Sequence, residues 1–324
     1  GAASGITFVS GSLTGADIQV NVVGNIDLNA MGTSAYAQIG HGGYGALSLA
    51  AADSDIFLNS TVGTGLGLIT LDGGTGTNSY AQIGHGGSRS NLDRRKDKDG
   101  VSGSANGNTS SGNITITRSG GIALQGGSNA DNYVRIGHGG EGGLGPFSGT
   151  IVANTTGNLI LHAGSASDSH AQIGHGGTNS FGANSGDIRL SAGGLIDVDG
   201  GTGLYAFAQI GHGGYTTNGN QGLAADQIAV TSGSGGISLS GGGNQRSYAM
   251  IGNGGHTSIG NTSGSIYVNV DPLTGAASGG GNILIEGGIG LDAFSQIGHG
   301  GKAAVGTKVG NISVATTTGG ITLA

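Results

Sequence analysis

Nine histidines stand in this 324-residue chain, and six of them occupy one place in a repeated phrase. His41, His85, His138, His175, His212 and His299 each follow Ile-Gly and precede Gly-Gly, and Asn253 takes the same place in a seventh copy. Imidazoles recurring in this way suggest a column of transition-metal ligands, about 5 Å apart if successive copies stack. They equally suggest a corner device, in which ring nitrogens bond backbone groups at a tight turn. Asn253 favours the corner device, because a carboxamide replaces imidazole as a hydrogen-bonding group but is a poor ligand for such metals. No carboxylate recurs at a fixed offset to complete a coordination shell. The structural reading is therefore preferred, with the metal ladder as its alternative, and no cofactor is expected.

Carboxylates offer a second kind of chemistry. A polysaccharide-cleaving site needs several on one face, to hold Ca²⁺ or to work as an acid/base pair. Asp197 and Asp199 in IDVDGG share a strand face, with Asp187 upstream. Neighbouring repeats do not carry Asp at both places and no Lys or Arg accompanies them, so solvated strand residues are the expectation. Asp97-Lys98-Asp99-Gly100 sketches a calcium loop, but the distal Glu is missing and three cations crowd it. Thr115 and Thr117 alone give a Thr-x-Thr strand, too little for an ice-binding ladder. No catalytic residue is assigned.

The elements that would position these residues follow from the repeat itself. The full phrase reads YAQIGHGG at 36–43 and 80–87, YVRIGHGG at 133–140, HAQIGHGG at 170–177, FAQIGHGG at 207–214, YAMIGNGG at 248–255 and FSQIGHGG at 294–301. Its isoleucines are Ile39, Ile83, Ile136, Ile173, Ile210, Ile251 and Ile297, spaced by 37 to 53 residues. Two further alternating segments precede each copy, as in GDIRLSAGG, then LIDVDGG, then FAQIGHGG. Each unit is thus three strands of period 2 joined by glycine-rich corners. Stacked units make a parallel β-helix, an all-β solenoid of about seven and a half repeats forming a single unit over 1–324. One coil per repeat is expected, with two coils per repeat as the rival.

Within the phrase, the pleat sets alanine and isoleucine on one face and the aromatic and glutamine on the other. An isoleucine ladder is expected inside. A glutamine column (Gln38, Gln82, Gln172, Gln209, Gln296) and an aromatic column (Tyr36, Tyr80, Tyr133, Phe207, Tyr248, Phe294, broken by His170) are expected outside. The outward rings are possible glycan-stacking platforms. The longest interval holds a charged segment, 88–110, expected as an exposed loop. It includes five of the eleven basic residues: Arg89, Arg94, Arg95, Lys96 and Lys98.

Composition agrees. Glycine provides 76 residues, proline two, cysteine and tryptophan none, and aromatics 4%. Glycine this dense costs a helix about 1 kcal/mol per position, which excludes a mainly helical protein. Scarce proline and the lack of a Gly-X-Y register exclude collagen. Without cysteine there are no disulfides, thiolate sites or Cys nucleophiles. A net charge of −7 disfavours nucleic acid and anionic membranes as partners. No apolar run is long enough to span a membrane as a helix. The chain opens on Gly-Ala-Ala-Ser-Gly without methionine or a visible signal peptide, and closes two strands into an eighth unit. It therefore reads as a piece of something longer.

Strings such as GNITIT…GGIALQGG, GDIRLSAGGLIDVDGG and GNISVATTTGGITL resemble the repeats of filamentous-haemagglutinin-like exoproteins, over nearly the whole chain outside 88–110. The resemblance implies a right-handed β-helix shaft, a secreted or cell-surface bacterial setting and export by two-partner secretion. Neither the amino-terminal secretion domain of such exoproteins nor an Arg-Gly-Asp tripeptide is recognisable. The expectation is a non-enzymatic structural shaft of an adhesin or self-assembling filament. End-to-end association or continuation in a longer chain would be its main contact, with a glycan as a possible ligand. A carbohydrate-binding or carbohydrate-active β-helix protein is the alternative.

Overall fold

The computed structural model describes residues 17–46, 54–61, 65–90 and 110–324. Alternating β-branched and small residues give main strands of three to six residues, and glycine pairs turn the chain between them. A middle turn runs Ile188–Ala192, Ile196–Asp199 and Phe207–Ile210. Equivalent strands of all turns pair in parallel. The first strands make an eight-stranded sheet from Ile18–Val23 to Ile312–Val314. The second strands make another, from Ile26–Asn29 to Ile321–Leu323, and the third strands make a seven-stranded sheet from Tyr36–Ile39 to Phe294–Ile297. No helix occurs among the described residues. At about 4.8 Å per strand, eight strands stand about 34 Å tall.

Register settles the coil count. Ile39 pairs with Ile83, then Ile136, Ile173, Ile210, Ile251 and Ile297 in unbroken succession. Each repeat is therefore one three-stranded turn. A fourth element escapes the period-2 reading because it is only two residues long. It is the strand at Ser110–Ser111, Phe147–Ser148 and Asn184–Ser185, and again at Thr262–Ser263 and Lys308–Val309. The interior holds one continuous aliphatic core, in which Ile83, Ile136, Ile173, Ile210 and Ile251 are fully buried. From 91 to 109, the charged segment lies outside the described residues, as do Asp97, Asp99 and Gly100.

Glycine is required where turns meet most closely. Gly174 has φ +151°, and a Cβ there would stand 2.0 Å from the carbonyl oxygen of Gly211 in the next turn. Only glycine fits both the dihedral and the space.

Candidate functional site

The repeated phrase ends the third strand and turns the corner, which places the histidines in a column. Rings of consecutive turns are parallel, with centroids 4.8 to 5.1 Å apart from His41 through His212. From His41 to Asn253, each backbone N–H in the column donates to the side chain above, a ring Nδ1 except where that side chain is Asn253. His85 N donates to His138 Nδ1 at 2.9 Å, His138 N to His175 Nδ1 at 2.9 Å and His175 N to His212 Nδ1 at 3.1 Å. An N–H has only a proton to offer, so Nδ1 must present its lone pair and the proton resides on Nε2. That proton goes to a carbonyl just before the first strand: Gly112 for His138, Gly149 for His175 and Gly186 for His212, at 2.8 to 2.9 Å. His85 and His299 make the same bond to Ser54 and Gly264.

Both nitrogens of these rings are thus consumed, and no lone pair remains for a metal. Asn253 performs the same two tasks with a carboxamide. Its Oδ1 accepts from His212 N at 2.8 Å and its Nδ2 donates to Ser263 O at 2.9 Å. Burial is the main cause holding His85, His138, His175, His212 and His299 below the ordinary imidazole range. Neighbouring imidazoles add to it for His138, which is pushed down to about 3. Among the described residues, no three His, Cys, Asp or Glu side chains gather to hold a metal ion.

The aromatic and glutamine columns require a correction. They point away from the aliphatic core but not to solvent. Tyr80, Tyr133, Phe207 and Tyr248 are buried, as are Gln82, Gln172 and Gln209. The reason lies in the corner, which folds the chain back over this face. A Cβ on Gly87 would meet Tyr80 Oη, so the glycine backbone lies directly on the phenol. The rings stack at 4.5 to 5.2 Å from Tyr36 to Phe294, through His170. Gln38, Gln82, Gln172 and Gln209 each clamp the next turn, as where Gln172 Nε2 donates to Gly211 O at 2.9 Å and Gly213 O at 2.8 Å. Tyr248 donates to Gln209 Oε1 at 3.2 Å. The buried rings cannot stack on a glycan. Tyr36 in the first turn is half exposed, and Phe294 is partly covered.

One pair breaks both columns together. Arg135 takes a glutamine place and His170, one turn on, takes an aromatic one. Arg135 is fully buried, donates to Gly176 O, approaches His170 Nε2 at 3.2 Å and lies over the Tyr133 ring. Burial lowers the Arg135 guanidinium to about 10 and the His170 imidazole to about 3. His170 Nδ1 donates to Asp168 O at 3.2 Å, so Nε2 is free to accept from the guanidinium.

The acidic residues separate. Asp197 and Asp199 share the outer face of one second strand, and Asp187 lies a corner away beside Arg189 at 2.6 Å. Asp197 meets His162 of the preceding turn at 2.8 Å. Sequence reading missed Asp131, Glu141 and Asp168, which interact across adjacent corners. Burial and mutual repulsion push Glu141 up to about 7 and Asp168 up to about 6. Their common position, two residues before the aromatic or directly after the last glycine, was the available signal. No family model, curated protein or solved structure matches this chain.

Proposed function

We propose that this chain is a stiff, non-catalytic shaft segment of an extracellular bacterial exoprotein of the filamentous-haemagglutinin-like kind. The observation that carries the reading is how the repeated phrase is used. In the interior turns, its ring Nδ1 atoms, carboxamide Nε2 groups, aromatic faces and isoleucines all contact an adjacent turn, while ring Nε2 closes its own turn. The most regular chemistry in the molecule joins turn to turn and faces no ligand. The likeness of the strand phrases to exoprotein repeats supports the family and the extracellular setting. A stack held by backbone ladders also needs no disulfide in an oxidising compartment.

The final strands, Ile312–Val314 and Ile321–Leu323, leave Ile312, Ile321 and Leu323 exposed. Stacking on this edge, by a further turn or a second copy, belongs to the same proposal. The test is immunogold labelling of the producing cell, combined with assays for depolymerisation of a polysaccharide panel. Label on surface or shed filaments and no cleavage is the expected result. Label confined to the cytoplasm, or product release from any polysaccharide, contradicts it.

A further inference from the structure

The sheet of second strands carries the outer surface that the repeated phrase leaves unused. Where this sheet turns toward the third, a groove of about 460 Å³ runs across four turns. One wall is the last outward residue of successive second strands, Asp72, Gln125, His162 and Asp199, each the direct cross-strand partner of the next. The opposite wall takes one hydroxyl from each following corner: Thr75, Ser128, Ser165 and Thr202. A second hollow of about 360 Å³ adjoins it on the same sheet, with Leu68, Ala123 and Ile160 among its apolar residues.

The wall residues are held in place. Asp72 Oδ1 accepts from Gly74 N and Asp199 Oδ1 from Gly201 N, both at 2.7 Å, which fixes each carboxylate while using one of its several acceptor sites. Asp197 holds the His162 ring at 2.8 Å. Backbone groups of this sheet pair with the turns above and below, so side chains alone are left to recognise a ligand.

Each of these four turns therefore presents the same pair, a polar strand end and a corner hydroxyl, and the two middle turns add apolar Ala123 and Ile160 beside it. A matching ligand is a linear polymer with hydroxyls along one edge and an apolar face on the other. Asp72, Asp197 and Asp199 on this surface, in a chain of net charge −7, repel polyanions. Extended peptides would seek an unpaired strand edge, and none borders this part of the sheet. We infer that the groove binds a linear neutral or amino-sugar polysaccharide lying parallel to the solenoid axis. Its hydroxyls meet the wall from Asp72 to Asp199, and its sugar faces rest near Ala123 and Ile160. The site is independent of the histidine column and of the shaft's location in the cell.

Isothermal titration of the whole chain with cellohexaose, xylohexaose and chitohexaose tests the proposal, with a polygalacturonate oligomer as anionic control. At least one neutral or amino hexasaccharide is expected to bind and the polygalacturonate is not. Ala123→Arg should place a long side chain over the adjoining apolar hollow, where the sugar faces rest, and weaken binding at least tenfold. Gln125→Ala combined with His162→Ala should do the same, and both variants should keep the parent melting temperature. Absence of binding by all three neutral or amino hexasaccharides at millimolar concentration overturns the site. So does unchanged affinity in Ala123→Arg. Equal displacement of bound sugar by a polylysine peptide would replace the proposal with a charge-only surface.

Discussion

Each ladder histidine acts as a two-pronged latch, and its neutral charge state is essential to that role. Protonating Nδ1 would set two donors against each other in a buried place. His175→Ala should cost about 2–4 kcal/mol, because a backbone N–H and a carbonyl both lose buried partners. His175→Asn should cost less, since Asn253 already serves in that column. Chemical denaturation of the two variants measures the order.

Acid should loosen the stack. The ordinary imidazole value is 6.5, and the folded values of His138, His170, His175 and His212 lie below it. Their stabilising contribution is full above pH 6.5 and falls as pH drops toward the folded values. Between pH 7 and pH 5.5, His138 and His170, both pushed down to about 3, each lose about 1.3 kcal/mol, and His175 and His212 add to the loss. Glu141 and Asp168 act in the opposite sense, because their folded values are raised. Over that range Glu141 returns about 1.5 kcal/mol and the more exposed Asp168 under about 1 kcal/mol. Four imidazoles outweigh two carboxyls, so stability should drop. Superimposable melting curves at pH 7 and 5.5 would refute this.

At the scale of the element, the third strand is sealed on both faces, and this was only half legible. Period-2 alternation in Tyr-Ala-Gln-Ile divides the residues correctly into Ala/Ile and Tyr/Gln sets. It cannot say what covers the second set, since a strand buried on both faces can still alternate when one of its cores is polar. The cover is the Gly-His-Gly-Gly corner, whose path depends on glycine dihedrals that a hydrophobic pattern does not encode. Asn253 in the histidine column was legible as a sign of structural duty, because it substitutes for hydrogen bonding and not for ligation. Gln172→Ala should cost about 2 kcal/mol through the carbonyls of Gly211 and Gly213. Gly174→Ala should prevent native stacking altogether, given a 2.0 Å approach to backbone oxygen. Circular dichroism during urea titration separates a graded loss from failure to fold.

For the whole molecule, the solenoid fold follows from sequence spacing, because repeats of 37 to 53 residues carry their length variation outside the three main strands, while the coil count needed the pairing register. The binding groove was not legible, since its wall residues differ in type from turn to turn and only the pairing register aligns them. A solenoid sums local turn energies and neighbour contacts. Ile173→Ala, in a middle turn, should therefore cost about 2–5 kcal/mol. Ile297→Ala, in the partly exposed last phrase, should cost clearly less by the same denaturation measurement. The account rests on the histidine column belonging to the fold. Its most direct test is a long-range ¹H–¹⁵N spectrum of the imidazoles at pH 7, recorded before and after equimolar zinc. The account predicts ladder rings protonated on Nε2, with Nδ1 as acceptor, and no change on adding zinc. Nδ1-protonated or mixed ladder rings, or ladder resonances that shift with zinc, would contradict it.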